Sequence, residues 1–363
     1  MADKPSFRLI PHSNPVPDAE RAQLIADPGF GKIFTDHMVV IRWSVGTGWH
    51  DAEIRAREPF QLDPASAVLH YAQEIFEGMK AYRTGDGRVT LFRPEQNARR
   101  FNESAHRMAM PEIPEEMFLE AIEKLVALDK AWIPAGEGSL YLRPFMFAND
   151  VFLGVRPASE YIFCAIASPV GAYFKGGAKP IKVWVSQDYS RAARGGTGAA
   201  KCGGNYAGSL LPQAEAIQRG CDQVVFLDAA EHRWVEELGG MNIFFVMDDG
   251  SLITPPLGTI LPGITRDSVI TLARDNGLVV REENYGFDQW QADAASGRLR
   301  EVFACGTAAV IAAIGKVESK GSEFMVANGE TGAVTEKLRD GLVRLQRGES
   351  NDGHGWLRTI PLD

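Results

Sequence analysis

The segment ARGGTGAAKCGGNYAGSL (193–210) places one lysine, Lys201, among six glycines and four alanines. Glycine reaches backbone angles closed to other residues and lets a ligand approach the chain closely. Small neighbours leave the lysine partly enclosed and dry. Desolvation lowers an amine pKa, which yields the neutral nucleophile that Schiff-base chemistry needs. The segment is not a P-loop, because Ala200 precedes Lys201 and Cys202 follows it. That pattern demands Gly before the lysine and Ser or Thr after it. Taken alone, these residues also suit a flexible surface loop with a solvated lysine.

Five other segments carry groups of matching chemistry. EELGGMNIFF (236–245) sets Glu236 and Glu237 before an apolar run. Strand alternation aims only one of them inward, and a buried carboxylate needs a cationic or proton-donating partner such as a pyridinium nitrogen. LPGITR (261–266) reads as a helix start, where the N–H groups of Ile264 and Thr265 and the Thr265 hydroxyl suit a phosphate. ACGTAAV (304–310) reads as a small-residue turn whose N–H groups and Thr307 hydroxyl are further anion donors. In YLRPF (141–145), Tyr141 and Arg143 share a face if the segment is a strand. In LFRPEQNARRF (91–101), the arginines form either a basic helix face or a phosphate clamp. Each has a plainer alternative: solvated glutamates, an ordinary helix cap, a tight buried loop, or a surface arginine beside an aromatic ring.

The elements that position these groups follow from apolar periodicity. The first thirty residues are rich in proline and polar groups and read as an extended arm. MVVIRWSV (38–45) reads as a strand, and Tyr161–Ile166 as a buried one. Pro114-Glu115-Glu116 opens a helix with Phe118, Ile122, Leu125 and Val126 on one face, and Pro134 closes it. The glycine-rich GAYFKGGAKP (171–180) marks a domain boundary. Beyond it, IKVWVS (181–186) and DQVVFLD (222–228) read as strands. Asp249-Gly250 sits between NIFFVM and SLITP as a hairpin turn. The helix within 260–277 ends at Gly277, which suits the C′ position. The expected division is a smaller N-terminal α/β domain over 1–172, a loop over 173–183, and a larger C-terminal domain over 184–363.

Composition narrows the function classes. The 363 residues are 45% hydrophobic and 23% charged, with a formal net charge of −9. That balance describes a globular chain without the basic footprint of a nucleic-acid or anionic-membrane binder. Cys164, Cys202, Cys221 and Cys305 show no C-x-x-C pair and no nearby histidine at zinc-ligand spacing, so no metal is expected. The N-terminus lacks the apolar core of a signal peptide, and Val302–Ile314 is too short to span a bilayer. These features point to the cytoplasm.

Taken together, FGKIFTDHM, LHYAQEIFEGMKAY, YLRPF, SPVGAYF, GGTGAAKCGGNYA, EELGGMN, LPGITRDS and ACGTAAV resemble the branched-chain amino acid aminotransferases of pyridoxal-phosphate fold type IV. The resemblance runs from PGFGKIFTDHM (28–38) to DGHGW (352–356), nearly the whole chain. It implies a mixed α/β fold whose C-terminal domain is a pseudo-barrel, with pyridoxal 5′-phosphate as cofactor. The implied reaction is reversible transamination of leucine, isoleucine and valine with 2-oxoglutarate.

Residue by residue, the resemblance implies that Lys201 binds the cofactor aldehyde and moves the proton. It implies that Tyr206 hydrogen-bonds the phenolic oxygen and Glu237 pairs with the ring nitrogen. Arg100, Ile264, Thr265 and Thr307 would hold the phosphate. Phe30, Phe76 and Tyr173 would line the side-chain pocket, joined across a homodimer interface by Tyr71, Leu153 and Val155. Tyr141 and Arg143 would meet the acidic side chain of 2-oxoglutarate or glutamate, and the α-carboxylate would meet backbone near Thr307 and Ala308.

The chain departs from some members in two places. Ala309 and Ala312 stand where those members carry a redox-active C-x-x-C, and Gly240 stands where some carry Thr. Other class IV activities, a D-amino acid aminotransferase or an aminodeoxychorismate lyase, fit the motif set poorly. A phosphate-ligand binding protein without catalysis is the alternative from a different class.

Overall fold

In SLYLRPFMFA, every second residue has a different neighbour from the next, which is the signature of a strand with two unlike faces. The computed structural model describes residues 6–171 and 179–362, and divides the chain into two compact units. Unit 1 comprises Met1–Tyr173, Ala200–Gly203 and Leu345–Asp363; unit 2 comprises Phe174–Ala199 and Gly204–Arg344. The expected domains differ from these units in two segments. Residues 200–203 and 345–363 pack in unit 1, although they fall inside the expected C-terminal domain. With them, unit 1 holds more residues than unit 2.

Unit 1 contributes β1 (Arg8–Leu9), β2 (His37–Ser44), β3 (Gly48–Ala56), β4 (Glu74–Phe76), β5 (Met79–Arg83), β6 (Val89–Phe92), β7 (Ser139–Ala148) and β8 (Glu160–Val170). Unit 2 contributes β9 (Ile181–Ser186), β10 (Gln223–Leu227), β11 (Val235–Leu238), β12 (Asn242–Met247), β13 (Leu252–Thr254), β14 (Val280–Glu282), β15 (Leu299–Gly306), β16 (Val310–Ser319) and β17 (Ser322–Met325). The chain then returns to unit 1 with β18 (Leu357–Thr359).

The unit 1 sheet runs β1-β3-β2-β8-β7-β5-β6-β18, with β4 paired to β7. Leu140, Leu142 and Met146 of β7 face a core that includes the helices Pro94–Arg107 and Glu115–Leu128. Phe101, Phe118 and Phe163 form its aromatic centre, with ring centroids 5.4 to 5.8 Å apart. Each of these rings is fully buried and contributes about 2 to 3 kcal/mol by leaving water. Tyr141, Arg143 and Phe145 point the other way and are only half-buried. One face of the sheet is therefore sealed by helices, and the other stays partly open.

The expected arm is not extended throughout. A helix spans Asp18–Ala26 with no buried residue, so it had no apolar stripe to announce it.

The unit 2 sheet runs β11-β10-β9-β16-β15-β12-β13-β14, with β17 paired to β16. β12 and β13 form the hairpin expected around Asp249-Gly250, and Gly250 takes φ +79°. The helix Ile264–Asp275 ends as expected, with Asn276 at its cap and Gly277 in the left-handed region at φ +76°. A core of unit 2 packs around Phe245, Tyr285 and Trp290. No helix among the described residues is long and apolar enough to cross a membrane.

A buried pair ties the unit 1 sheet to its helices. His37, at the start of β2, places Nδ1 2.6 Å from Asp129 Oδ1, and its backbone N–H donates to Asp129 Oδ2 at 3.2 Å. Burial alone would lower the His37 pKa, but the hydrogen bond and charge of Asp129 raise it above 6.5. A raised folded-state pKa stabilises fully below the unfolded value and fades as pH rises through the folded one. Asp129→Asn should therefore lower stability by about 1 to 2 kcal/mol below pH 6.5, and by less in alkaline buffer. Urea unfolding at the two pH values checks this; an equal loss at both would contradict the charged pair.

Candidate active site

In unit 1 the segment Ala200–Gly203 alternates buried and half-buried residues and leads into a short helix, Gly203–Ala207. Ala200 and Cys202 are buried in the core, so Lys201 between them is directed the other way and is half-buried. Its backbone is held at both ends of the peptide unit. The Lys201 N–H donates to Ser104 Oγ at 2.9 Å, and the Phe76 N–H donates to the Lys201 carbonyl at 2.9 Å. The Gly203 N–H donates to Glu74 Oε1. A Cβ at Gly203 would meet that same carboxylate, so a larger residue there would push the Glu74 side chain aside.

The amine Nζ of Lys201 lies 4.9 Å from the centre of the Phe76 ring. Behind it, Glu77 is fully buried and accepts from Arg100 Nε at 2.7 Å, Arg100 Nη2 at 2.9 Å and Asn97 Nδ2 at 2.7 Å. Burial pushes the Glu77 carboxyl up, but Arg100, Lys201 and Asn97 hold it below its usual range. Asn97, Arg100 and Ser104 lie at helical spacing on one face of Pro94–Arg107, so one helix addresses both Glu77 and the Lys201 backbone.

The open sheet face carries the second group of expected residues. Arg143 Nη2 donates to the Tyr141 hydroxyl at 3.0 Å. The Arg143 guanidinium lies 4.8 Å from the centre of the Phe76 ring, and Phe30 meets Tyr141 edge-on at 5.2 Å. Among the described residues, the buried Arg143 Nε has no hydrogen-bond partner, so the guanidinium retains a donor for an anionic group.

Tyr71, Leu153 and Val155 form an exposed apolar cluster. The Tyr71 hydroxyl donates to the Leu153 carbonyl, and Leu153 and Val155 are 67% and 88% exposed. Tyr173 lies outside the described residues.

Unit 2 holds the second buried carboxylate. Glu237 Oε1 lies 2.6 Å from Arg191 Nη1 and accepts the Leu261 N–H at 3.2 Å, while Oε2 accepts from Asn242 Nδ2 at 3.2 Å. Strand alternation led us to expect one inward glutamate. Both are buried, because β11 is enclosed on both faces. Glu236 instead accepts the Thr259 hydroxyl. The Arg191 guanidinium also lies 5.8 Å from the Tyr206 ring centre. Thr197 and Asn205 bond reciprocally, with Thr197 Oγ1 donating to Asn205 Oδ1 at 2.7 Å and Asn205 Nδ2 to the Thr197 carbonyl at 2.8 Å. That clamp fixes the two stretches of chain flanking Ala200–Gly203.

Ile264 and Thr265 open their helix after Gly263, with Thr265 buried. N–H groups in the first turn of a helix have no intrahelical partner, which suits them to an anion. Thr307 and Ala308 lie in the tight turn joining β15 to β16, where Val310 takes φ 61°. A β-branched residue in the left-handed region is strained, and such strain is tolerated where the surrounding structure fixes the turn.

Unit 1 offers a half-buried amine at Lys201. Unit 2 offers helix-start N–H groups suited to a phosphate and, at Glu237, a buried carboxylate suited to a protonated ring nitrogen. Glu77, Asn97, Arg191 and Asn242 were missing from the expected set. Glu77, Asn97 and Asn242 lie inside motifs already singled out, while Arg191 lies in none of them. No group of His, Cys, Asp and Glu among the described residues could hold a metal ion.

Comparison with known proteins agrees with this chemistry. Residues 74–317, more than half of the chain, match the amino-transferase class IV family. The chain is 57% identical over 359 residues to a probable branched-chain-amino-acid aminotransferase of Streptomyces coelicolor, covering 98% of this chain and 99% of that one. It is similar to the crystal structure of the Escherichia coli branched-chain amino acid aminotransferase at TM-score 0.73 and 31% identity, covering 88% and 99%. It is also similar to the PLP form of the Thermobaculum terrenum branched-chain amino acid aminotransferase at TM-score 0.71 and 25% identity, covering 89% and 98%.

Replacing Glu77 by Gln leaves the Arg100 guanidinium buried without its counter-charge. We expect a loss of about 3 kcal/mol in urea unfolding, the usual cost of breaking a buried ion pair from one side. An unchanged midpoint would mean that Glu77 does not carry this charge.

Proposed function

The chain belongs to the class IV aminotransferase family, and from that premise we propose how its residues run the reaction. The enzyme transaminates branched-chain amino acids and uses pyridoxal 5′-phosphate. Leucine, isoleucine and valine are the donors, and 2-oxoglutarate is the acceptor. The observation that carries this pairing is the half-open face of β7. Phe76, Tyr141 and Phe145 offer an apolar wall, and Arg143 beside them keeps a buried Nε without a partner. An isobutyl group needs only the wall. A side-chain carboxylate needs the guanidinium.

The cofactor, when bound, supplies an aldehyde that captures amino groups and a ring that draws electrons from the substrate's α-carbon. Lys201 would be the amine that anchors that aldehyde, and its Nζ would take the proton from the substrate's α-carbon and hold it for return. The Phe76 ring lies next to Nζ and covers one side of the amine. The carboxylate of Glu237, charge-compensated by Arg191 and bonded by Asn242, serves the protonated ring nitrogen. Tyr206 serves the phenolic oxygen. Arg100, Ile264, Thr265 and Thr307 hold the phosphate, and backbone near Thr307 and Ala308 takes the α-carboxylate.

A homodimer completes the reading. Tyr71, Leu153 and Val155, with Leu69 and Val151, leave a cluster of large apolar side chains in water. Such a patch fits burial against a second copy. Four buried, unpaired cysteines fit the reducing cytoplasm.

Lys201→Ala should abolish leucine transamination while leaving the unfolding midpoint near wild type, because no second lysine lies in the segment. Substantial retained turnover would remove Lys201 from the mechanism. Arg143→Ala should lower kcat/KM for glutamate by a factor of tens, on the order of 2 kcal/mol, and that for leucine by less than about threefold. The half-reactions can be followed separately through the cofactor spectrum. Equal losses would move Arg143 from the side-chain pocket to the shared α-carboxylate.

A further inference from the structure

The open face of unit 1 carries an anion that the reaction described above does not use. Glu74 and Phe76 of β4 lie opposite Phe147 and Phe145 of β7, and cross-strand partners share a face. Arg143 lies two residues before Phe145, on that same face. Glu74 is half-buried, and its Oε1 holds the Gly203 N–H. Its pKa is raised, chiefly by burial, with the Gly203 hydrogen bond and the positive charge of Arg143 opposing part of that rise. The Arg143 guanidinium lies over the Phe76 ring, and Glu74 is the same-face neighbour of Phe76 on β4, so the two charged groups flank one ring. The neighbouring carboxylate, Glu77, is committed to Arg100, Asn97 and Lys201.

We propose that Glu74 is the resident counter-anion of Arg143 and sets how strongly the site prefers an acidic over an apolar substrate side chain. The inference rests on the reading of Arg143 as the contact for the acidic side chain. With an isobutyl group bound, a guanidinium in a partly dry pocket would lack compensation, and Glu74 provides it. With glutamate bound, two carboxylates compete for one guanidinium, so the charge on Glu74 weakens acidic binding. A single arginine can then serve both substrates without trapping either. Glu74 acts through Arg143 and is a positioning residue.

Glu74→Gln removes the charge and keeps an oxygen that accepts the Gly203 N–H. Its glutamate-to-leucine ratio of kcat/KM should rise about fivefold or more. The change should appear as a lower KM for glutamate and a higher KM for leucine, with kcat little altered. Glu74→Asp draws the charge back from Arg143 by one methylene and should shift the ratio the same way by less. In an Arg143→Ala background, Glu74→Gln should leave the ratio unchanged, because the coupling has lost its second partner. An unchanged or lower ratio for Glu74→Gln in the wild-type background would overturn the proposal and leave Glu74 as a support for Gly203. Failure of the underlying reading looks different, because Arg143→Ala alone would then cost leucine and glutamate equally.

Discussion

Glu77 has no exposed surface, and the catalytic side of unit 1 depends on how its charge is met. An isolated carboxylate at that depth would cost several kcal/mol, so its partners are structural necessities. Arg100 and Asn97 come from a single helix and fix that helix against the link between β4 and β5 that carries Glu77. One turn further along, Ser104 holds the Lys201 backbone. The carboxylate thus positions the helix, and the helix positions the lysine. Lys201 also lowers the pKa of Glu77, so the Lys201 amine and the structural pair share one electrostatic field.

The same solution recurs where the chemistry needs charge. In unit 2, Glu237 is buried against Arg191 and bonded by Asn242 and the Leu261 N–H. On the open face of unit 1, Arg143 and Lys201 both lie within 5 Å of the Phe76 ring centre, with Glu74 and Glu77 opposing their charges. Two cations sharing one aromatic ring would repel without those carboxylates. Under the proposed pocket assignment, the arrangement keeps an arginine available to an acidic side chain on a wall otherwise suited to an aliphatic one.

Local chemistry was legible in the amino-acid sequence, and distant pairing was not. The lysine among glycines, the Asp249-Gly250 hairpin, the helix closed by Gly277 and the shared face of Tyr141 and Arg143 all depend on residues a few positions apart. Glu77 and Arg100 lie 23 residues apart, and no local pattern joins them. Arg191 and Glu237 meet only through the sheet of unit 2. Glu236 and Glu237 violate the expected alternation because that rule assumes one face in water, and β11 has none. The helix Asp18–Ala26 buries no residue, so periodicity could not mark it. Residues 200–203 and 345–363 pack with unit 1 although the chain around them builds unit 2, which no reading along the sequence could divide.

The account centres on Lys201 as the amine that carries the cofactor. Borohydride reduction of the holoenzyme makes the link between the cofactor aldehyde and its lysine permanent. Digestion and mass spectrometry then locate it. The account predicts the added mass on the peptide containing Lys201 and on no other, and predicts that leucine added before reduction abolishes it. Cofactor found on a different lysine, or labelling of Lys201 that leucine leaves unchanged, would contradict it.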